Sequence, residues 1–234
     1  MWSTYPLGTQ KGMATGFVVD TGQARSPQQG DTTSVTIVTS LHAIATVGRK
    51  PLLIATRIVE DDGTPSVILI QIQQPKGKRL FFVKHPSADL AAFRVRIPGE
   101  AAGMVRMPTF LSPGNIPRSR SQIRPGMDVS FVGYPEVLPG TDGAFPVLRA
   151  GKVASYSPGR LSDGGKFIIN ADVYPGDSGA PVFATRGGKA EIVGMIIQRI
   201  GNASQDFSHF AVAVDSTSIR ETLDLLAAAD PNQD

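Results

Sequence analysis

Residues Tyr174–Pro181 read YPGDSGAP and carry the strongest signal in this sequence. This stretch places Ser178 in a turn flanked by glycines, with an acid before it and a β-prone run, Val182–Thr185, after it. A serine hydroxyl is a good nucleophile only when a base takes its proton and donors receive the negative charge that develops. Gly176 lets the backbone adopt conformations closed to other residues, so its N–H and that of Ser178 can point at one spot. The base must then be one of the three histidines.

Two further segments carry a histidine and an aspartate ahead of this turn. Residues 38–43 read VTSLHA and contain His42, and residues 89–95 read DLAAFRV and begin with Asp89. The order is His, Asp, Ser, with separations of 47 and 89 residues. Together the three segments resemble the catalytic motifs of the trypsin/chymotrypsin-like serine proteases. Ala180 stands where that family usually has a second glycine.

The resemblance implies a role for each of these side chains. Ser178 is the nucleophile, His42 is the general base and later the general acid, and Asp89 orients His42 and stabilises its imidazolium. The N–H groups of Gly176 and Ser178 form the oxyanion hole. The structural alternatives are a serine that caps a turn, a buried histidine among apolar neighbours, and a turn or N-cap aspartate. No cofactor is expected, and no metal site, because the histidines are far apart and no His-Glu-x-x-His pattern is present.

Three other side chains need their own interpretation. His85 precedes a proline, which resembles the family's turn before the catalytic aspartate, where the histidine is not catalytic. His209 alternates with aromatic residues and is expected on a strand, facing solvent. In activated digestive members of the family, the acid at the position of Asp177 pairs with a new N-terminal ammonium that cleavage releases. Nothing near the start of this sequence resembles the activation sequence that such cleavage needs. We therefore expect activity without processing, and Asp177 needs another donor or solvent, because a buried unpaired carboxylate is costly.

Substrate selection is expected to involve Asp172 and Arg199. Asp172 lies six residues before Ser178, where trypsin-type members keep the acid that selects Arg or Lys. Residues Gly194–Arg199 would form one wall of that pocket, with Ile197 and Arg199 where trypsin-type members have small residues. A cation beside Asp172 would neutralise it and fill the pocket. A structural Asp172–Arg199 pair, or a simple turn cap, is therefore favoured over basic-residue specificity, and weak cleavage after Arg is expected.

Short β-prone runs separated by Gly, Pro and Asp predict an all-β protein. The first six are Thr15–Asp20, Ser34–Ser40, Leu52–Glu60, Ser66–Gln73, Leu80–Lys84 and Leu90–Arg96. The second six are Asp128–Tyr134, Phe145–Tyr156, Lys166–Asp172, Ala180–Arg186, Glu191–Arg199 and Phe207–Asp215. Closing six strands into a barrel removes exposed edges, so the prediction is two six-stranded antiparallel β-barrels of the chymotrypsin-like type.

The expected division places the active site between two halves. Residues 1–110 form the first barrel, with His42 and Asp89. Residues 111–234 hold a surface linker, the second barrel with Ser178, and a C-terminal α-helix over about residues 216–228. Ser218 with Glu221 predicts a capping box at the start of that helix.

The bulk composition excludes several classes of protein. The 234 residues are 41% hydrophobic and 18% charged, as in an ordinary soluble globular protein. The net charge of +3 and the lack of a dense Lys/Arg run argue against nucleic-acid binding. The sequence contains no run of about 18 apolar residues that could span a membrane, and no signal peptide is visible. The absence of cysteine is compatible with a reducing compartment or with a trimmed secreted chain, so the compartment and the oligomeric state stay open.

The functional interpretation is a serine endopeptidase that acts on polypeptides through the triad and an acyl-enzyme intermediate. One alternative is a catalytically silent protease-like domain that binds a protein partner, because Ala180, Ile197 and Arg199 depart from the family near the site. A second is an esterase-type hydrolase on another fold. It is disfavoured because such enzymes order Ser before Asp before His and place the serine between a strand and a helix.

Overall fold

The computed structural model describes residues 3–9, 12–21, 33–45, 51–59, 65–72, 81–97, 111–119, 123–136, 145–156, 165–201 and 209–229. Over these residues the chain forms thirteen β-strands, two α-helices and one 3-10 helix. The predicted all-β class with a C-terminal helix is therefore confirmed. Residues 98–110 and 120–122 of the predicted linker, which runs over 98–125, and several of the Gly-, Pro- and Asp-rich segments between the predicted strands lie outside the described residues.

The first half of the chain is one antiparallel sheet. Its elements are β1 (Thr4–Thr9), β2 (Gly12–Val19), β3 (Thr33–Thr39), α1 (Leu41–Ala45), β4 (Leu52–Val59), β5 (Pro65–Ile72), β6 (Val83–Lys84) and β7 (Ala91–Ile97). The strand order is β5-β4-β1-β2-β3-β7-β6. Six of these strands coincide with the predicted runs. Over the described residues the sheet is seven-stranded and is not joined into a closed ring, where six strands and a barrel were expected.

The additional strand is β1, which lies inside the sheet between β2 and β4. Pro6 and Gly8 lower the β propensity of this segment, so its sequence does not predict a strand. The segment is a strand because Tyr5 and Leu7 are buried in the sheet's core, where Leu7 joins Ile37 and Phe93. Tertiary burial overrides local propensity here.

The second half is a closed six-stranded antiparallel barrel, as predicted. Its elements are a 3-10 turn (Pro113–Asn115), β8 (Asp128–Gly133), β9 (Val147–Tyr156), β10 (Lys166–Asn170), β11 (Pro181–Arg186), β12 (Lys189–Ile200) and β13 (Phe210–Asp215). The strands close in the order β10-β13-β12-β11-β8-β9. Phe131, Phe167 and Ile196 are fully buried inside the barrel.

The last described element is the helix α2 (Ser216–Ala228), whose bounds agree with those predicted from the sequence. Ile219, Leu223 and Leu226 are buried, as their spacing predicts. The predicted capping box is wrong, because Asp215 is the N-cap and its carboxylate accepts from the Ser218 N–H at 3.0 Å. Strand β13 ends at Asp215, so the same acid closes the strand and opens the helix.

A third apolar cluster connects the two halves and the helix. Phe17 and Val38 from the first sheet pack with Met195 of the barrel and with Ile219 of α2. Each of these side chains is fully buried. Since the cluster contains residues of β2, β3, β12 and α2, it fixes the first sheet against the barrel that carries Ser178.

Candidate active site

The turn around Ser178 connects β10 to β11 and depends on two glycines. Gly176 has φ +97° and Gly179 has φ +94°, in the left-handed region that other residues rarely adopt. A Cβ on Gly176 would lie 2.0 Å from the Tyr134 carbonyl oxygen, and one on Gly179 would lie 1.9 Å from the Thr15 carbonyl oxygen. Both glycines are therefore required by conformation and by space.

Every carbonyl in the turn from Tyr174 to Ser178 accepts a hydrogen bond. The donors are Asp177 N for Tyr174 (3.1 Å), Glu136 N for Pro175 (3.0 Å), Thr15 Oγ1 for Gly176 (2.8 Å), Ala180 N for Asp177 (2.9 Å) and Thr15 N for Ser178 (2.8 Å). These bonds fix the orientation of each peptide plane in the turn. The conformation of the turn is therefore held by groups outside it as well as within it.

The N–H groups of the same turn show a different pattern. Tyr174 N donates to the Asp177 carboxylate at 2.8 Å, and Gly179 N donates to the Ile196 carbonyl at 2.8 Å. Within the described residues, the N–H groups of Gly176 and Ser178 donate to no protein acceptor. Two unpaired N–H groups on either side of one residue are what an oxyanion hole requires.

His42 and Asp89 come together because β3 and β7 are paired. Thr39, at the end of β3, lies opposite Ala91 at the start of β7, so α1 follows one strand and Asp89 precedes the other. The Asp89 carboxylate accepts from the His42 backbone N–H at 2.8 Å and contacts His42 Nδ1 at 2.5 Å. The His42 side chain is 51% exposed, so the alternative of a buried structural histidine is wrong.

The pair shifts both pKa values away from their ordinary range. The hydrogen bond to Asp89 raises the pKa of His42 above 6.5, burial opposes this shift, and the negative charge of Asp89 adds to it. Burial alone would raise the pKa of Asp89, but the hydrogen bonds from the His42 ring and backbone outweigh burial, so the pKa lies below 3.8. At neutral pH the aspartate is ionised and accepts the Nδ1 proton, which leaves Nε2 available to another partner.

Thr15, on β2, connects the two parts of this site. Its N–H donates to the Ser178 carbonyl at 2.8 Å, and its own carbonyl accepts from Thr39 Oγ1 at 2.7 Å. Thr39 lies three residues before His42. No hydrogen bond joins His42 Nε2 to Ser178 Oγ over the described residues. Such bonds are often long before substrate binds.

Asp177 is fully buried, and its partner is Arg149 on β9. Arg149 Nη1 donates to Asp177 Oδ2 at 2.6 Å, and Nη2 donates to Oδ1, so the contact is bidentate. The guanidinium lies over the rings of Phe131 (4.6 Å) and Tyr174 (5.7 Å). Burial raises the pKa of Asp177, and Arg149 lowers it without cancelling the effect of burial. The donor that the sequence required for Asp177 is therefore an arginine of the same barrel.

Comparison with known families identifies the chain. A family model described as a trypsin-like peptidase domain matches residues 14–195, which include the histidine, aspartate and serine segments. The chain belongs to the trypsin-like peptidase family. Comparison with curated protein sequences finds no match.

Solved structures with the same fold include two proteases. One is the HtrA-type protease AlgW with a decapeptide, at 14% identity and a TM-score of 0.55, covering 96% of this chain and 64% of that chain. The other is the thermostable serine protease AL20 from an extremophilic microorganism, at 12% identity and a TM-score of 0.57, covering 97% and 96% of the two chains. The chain thus spans less than two thirds of the AlgW chain. At these identities the likeness shows the fold alone.

The proposed specificity residues of this trypsin-like peptidase do not pair as expected. The Asp172 carboxylate contacts Nδ1 of His209, and both side chains are more than half exposed. Arg199 is half-buried and makes no ion pair within the described residues. The expected Asp172–Arg199 pair is therefore wrong. His209 precedes β13 and is exposed, but its partner is an acid and not solvent alone.

His85 holds the turn that leads to Asp89. Its Nδ1 accepts from the Ala88 N–H at 2.8 Å and from the Ser87 N–H at 3.2 Å, so this nitrogen carries no proton. Its Nε2 contacts the Glu221 carboxylate of α2 at 2.9 Å. The side chain is buried, and these contacts occupy both ring nitrogens. Glu221, predicted to cap its own helix, instead connects α2 to this turn.

Three contributors to the site have weak sequence signals. The side chains of Arg149 and Thr15 and the backbone N–H of Glu136 bond to the turn around Ser178 from positions 28 to 161 residues away in sequence. The sequence indicated only that Asp177 needed a donor. Among the described residues, no group of three or more His, Cys, Asp or Glu side chains is arranged to hold a metal ion. No helix in the described ranges is long and apolar enough to cross a bilayer.

Proposed function

We propose that this trypsin-like peptidase is a serine endopeptidase in which Ser178, His42 and Asp89 act as a triad. The observation that carries the proposal is the hydrogen bonding of the nucleophile turn. Its carbonyls are all occupied, while the N–H groups of Gly176 and Ser178 stay unpaired among the described residues. Donors left unpaired at a reacting serine are available to an oxyanion.

The proposed reaction has two halves. Ser178 Oγ attacks the peptide carbonyl carbon while His42 Nε2 takes the hydroxyl proton, and the carbonyl oxygen becomes an oxyanion held by the two free N–H groups. The tetrahedral intermediate collapses, the C–N bond breaks, and His42 gives its proton to the leaving amine. Water then attacks the acyl ester with His42 again as base, which releases the new carboxyl group and the free serine. Asp89 keeps the imidazole in the required tautomer throughout.

A polypeptide is the proposed substrate class. The family is that of the trypsin-like peptidases, and AlgW, a neighbour of the same fold, was solved with a decapeptide. Arg149 supports activity without processing, because it supplies the positive partner that Asp177 needs. No newly released N-terminal ammonium is then required to order the turn.

The test is a digest of a mixed peptide library, read by mass spectrometry for new termini. The parent protein should create new termini inside the peptides, and Ser178→Ala and His42→Ala should create none. Ser155→Ala is the matched control, because Ser155 lies exposed on β9 and its hydroxyl bonds only a local carbonyl. Cleavage by the parent that survives in Ser178→Ala would overturn the proposed triad. A parent that cleaves nothing would favour the protein-binding domain.

A further inference from the structure

Thr15 is a buried hydroxyl residue placed directly against the nucleophile turn. It lies on β2 of the first sheet and has no exposed surface. Its Oγ1 donates to the Gly176 carbonyl at 2.8 Å and accepts from the Tyr134 N–H at 3.2 Å. A hydroxyl has one proton to donate, so that proton is committed to Gly176.

The backbone of Thr15 extends the same connection in both directions. Its N–H donates to the Ser178 carbonyl at 2.8 Å. Its carbonyl accepts from Thr39 Oγ1 at 2.7 Å, at the end of the strand that leads into His42. One residue of the first sheet therefore contacts both proposed oxyanion-hole residues and the strand that positions the base.

Gly176 is the point in the turn where such contacts matter most. A glycine without a Cβ rotates more freely than any other residue, and its N–H must point at the oxyanion for the hole to exist. Two bonds restrict it here. The Glu136 N–H holds the Pro175 carbonyl at 3.0 Å, which sets the peptide plane before Gly176. The Thr15 hydroxyl holds the Gly176 carbonyl, which sets the peptide plane after it.

We propose that Thr15 is a positioning residue for the nucleophile turn, whose hydroxyl keeps Gly176 in the orientation that forms the oxyanion hole. The inference rests on the proposed function, since it assigns to Thr15 a role in that same reaction. Thr15 acts through Gly176 and touches neither the scissile bond nor the base. Its loss should therefore slow the chemical step and leave substrate affinity and the ionisation of His42 unchanged.

The experiment compares Thr15→Val, Thr15→Ser and a control at equal folded fractions. Valine keeps the shape of the side chain and removes the hydroxyl, whereas serine keeps the hydroxyl. Thr222→Val is the matched control, because Thr222 is equally buried and donates from Oγ1 to a carbonyl at 2.8 Å within α2. The readouts are the rate of labelling by a serine-directed fluorophosphonate, and kcat, KM and the pH profile on a library peptide that the parent cleaves.

Thr15→Val should lower the labelling rate and kcat by about 10- to 100-fold, the cost of a small misplacement at a reacting centre. KM should stay within about twofold of the value for the parent, because only the hydrogen bond to Gly176 is lost. The midpoint of the acid limb of the pH profile should stay within about 0.2 pH units of that of the parent. The labelling rates and kcat of Thr15→Ser and Thr222→Val should stay within about threefold of those of the parent, because both variants keep a hydroxyl at residue 15 that can bond the Gly176 carbonyl. Should Thr15→Val not fold, Thr15→Ala replaces it, with the same expected drop, because it also removes the hydroxyl that holds the Gly176 carbonyl.

The outcomes separate this inference from the proposed function. A parent that labels, while a folded Thr15→Val labels about 10- to 100-fold more slowly, supports both. Equal labelling rates of the parent and Thr15→Val overturn the role of Thr15 and leave the triad intact. The same conclusion follows if the labelling rate of Thr15→Ser or Thr222→Val falls as far as that of Thr15→Val. An unchanged rate in Thr15→Ala overturns it where Thr15→Val is unfolded. A parent that neither labels nor cleaves overturns the proposed function and the inference together.

Discussion

Replacing Arg149 with methionine removes one partner of a buried ion pair. Asp177 has no exposed surface, and Arg149 is 15% exposed. The substitution takes away two charge-assisted hydrogen bonds and leaves the carboxylate with the Tyr174 N–H at 2.8 Å. Breaking a buried pair in this way costs about 3–5 kcal/mol, because an uncompensated charge stays buried. Since one hydrogen bond remains, we expect the lower end, about 3 kcal/mol of unfolding free energy at neutral pH.

The pH dependence of this loss has a definite sign. Burial already raises the pKa of Asp177, and without Arg149 the pKa rises further. A carboxyl whose pKa is higher in the folded than in the unfolded protein gives stability that is fully present below the unfolded pKa and is lost as pH rises through the folded pKa. The deficit of Arg149→Met relative to the parent should therefore shrink as the pH falls toward about 4.

Urea unfolding at neutral and acid pH measures both effects. For a chain of this size, about 3 kcal/mol corresponds to a Tm lower by roughly 6–12 °C. Adding Asp177→Asn to Arg149→Met should restore stability, because the buried charge is gone. Lys152→Met is the control, since Lys152 lies on the same strand in an exposed pair worth about 0–1 kcal/mol. The reasoning is refuted if Arg149→Met is as stable as the parent at neutral pH, or if Asp177→Asn does not rescue it.

Three further predictions concern activity and folding. The acid limb of the pH profile of kcat/KM should have its midpoint above pH 6.5, because Asp89 raises the pKa of His42. Asp89→Asn should move the limb down and lower kcat by about 10⁴-fold, and a parent limb at or below 6.5 contradicts this. Gly179→Ala should abolish labelling, because a Cβ there meets a carbonyl oxygen at 1.9 Å. Gly187→Ala, where nothing lies within 4 Å, should keep it. Chromogenic peptides ending in Arg should be cleaved weakly, and better by His209→Ala, because His209 already pairs with the acid; robust hydrolysis by the parent argues against this.

The parts of the fold that could be predicted from sequence are those with local signals. The apolar spacing of Ile219, Leu223 and Leu226 predicts α2 with its observed bounds, because a helix packed along one face buries residues three and four apart. The strand β1 has no such signal, since Pro6 and Gly8 disfavour the extended state that burial of its neighbours imposes. Its presence turns the expected six strands of the first half into seven.

The site shows the same division between local and long-range information. The segments around His42, Asp89 and Ser178 are recognisable because each motif lies within a few consecutive residues. The partners of Asp177 and Asp172 cannot be recognised in this way, because they come from distant parts of the chain that only the closed barrel brings near. The sequence offers several arginines and two further histidines, and only tertiary placement selects Arg149 for one acid and His209 for the other.

In the proposed function, Ser178 is an activated nucleophile beside a formed oxyanion hole. The most direct measurement is the intact mass of the protein after treatment with a serine-directed fluorophosphonate, beside Ser178→Ala. The account predicts one adduct on the parent and none on the variant, because the reagent needs both a base and donors for its phosphoryl oxygen. A folded parent that takes up no adduct, or an adduct that persists in Ser178→Ala, would contradict it.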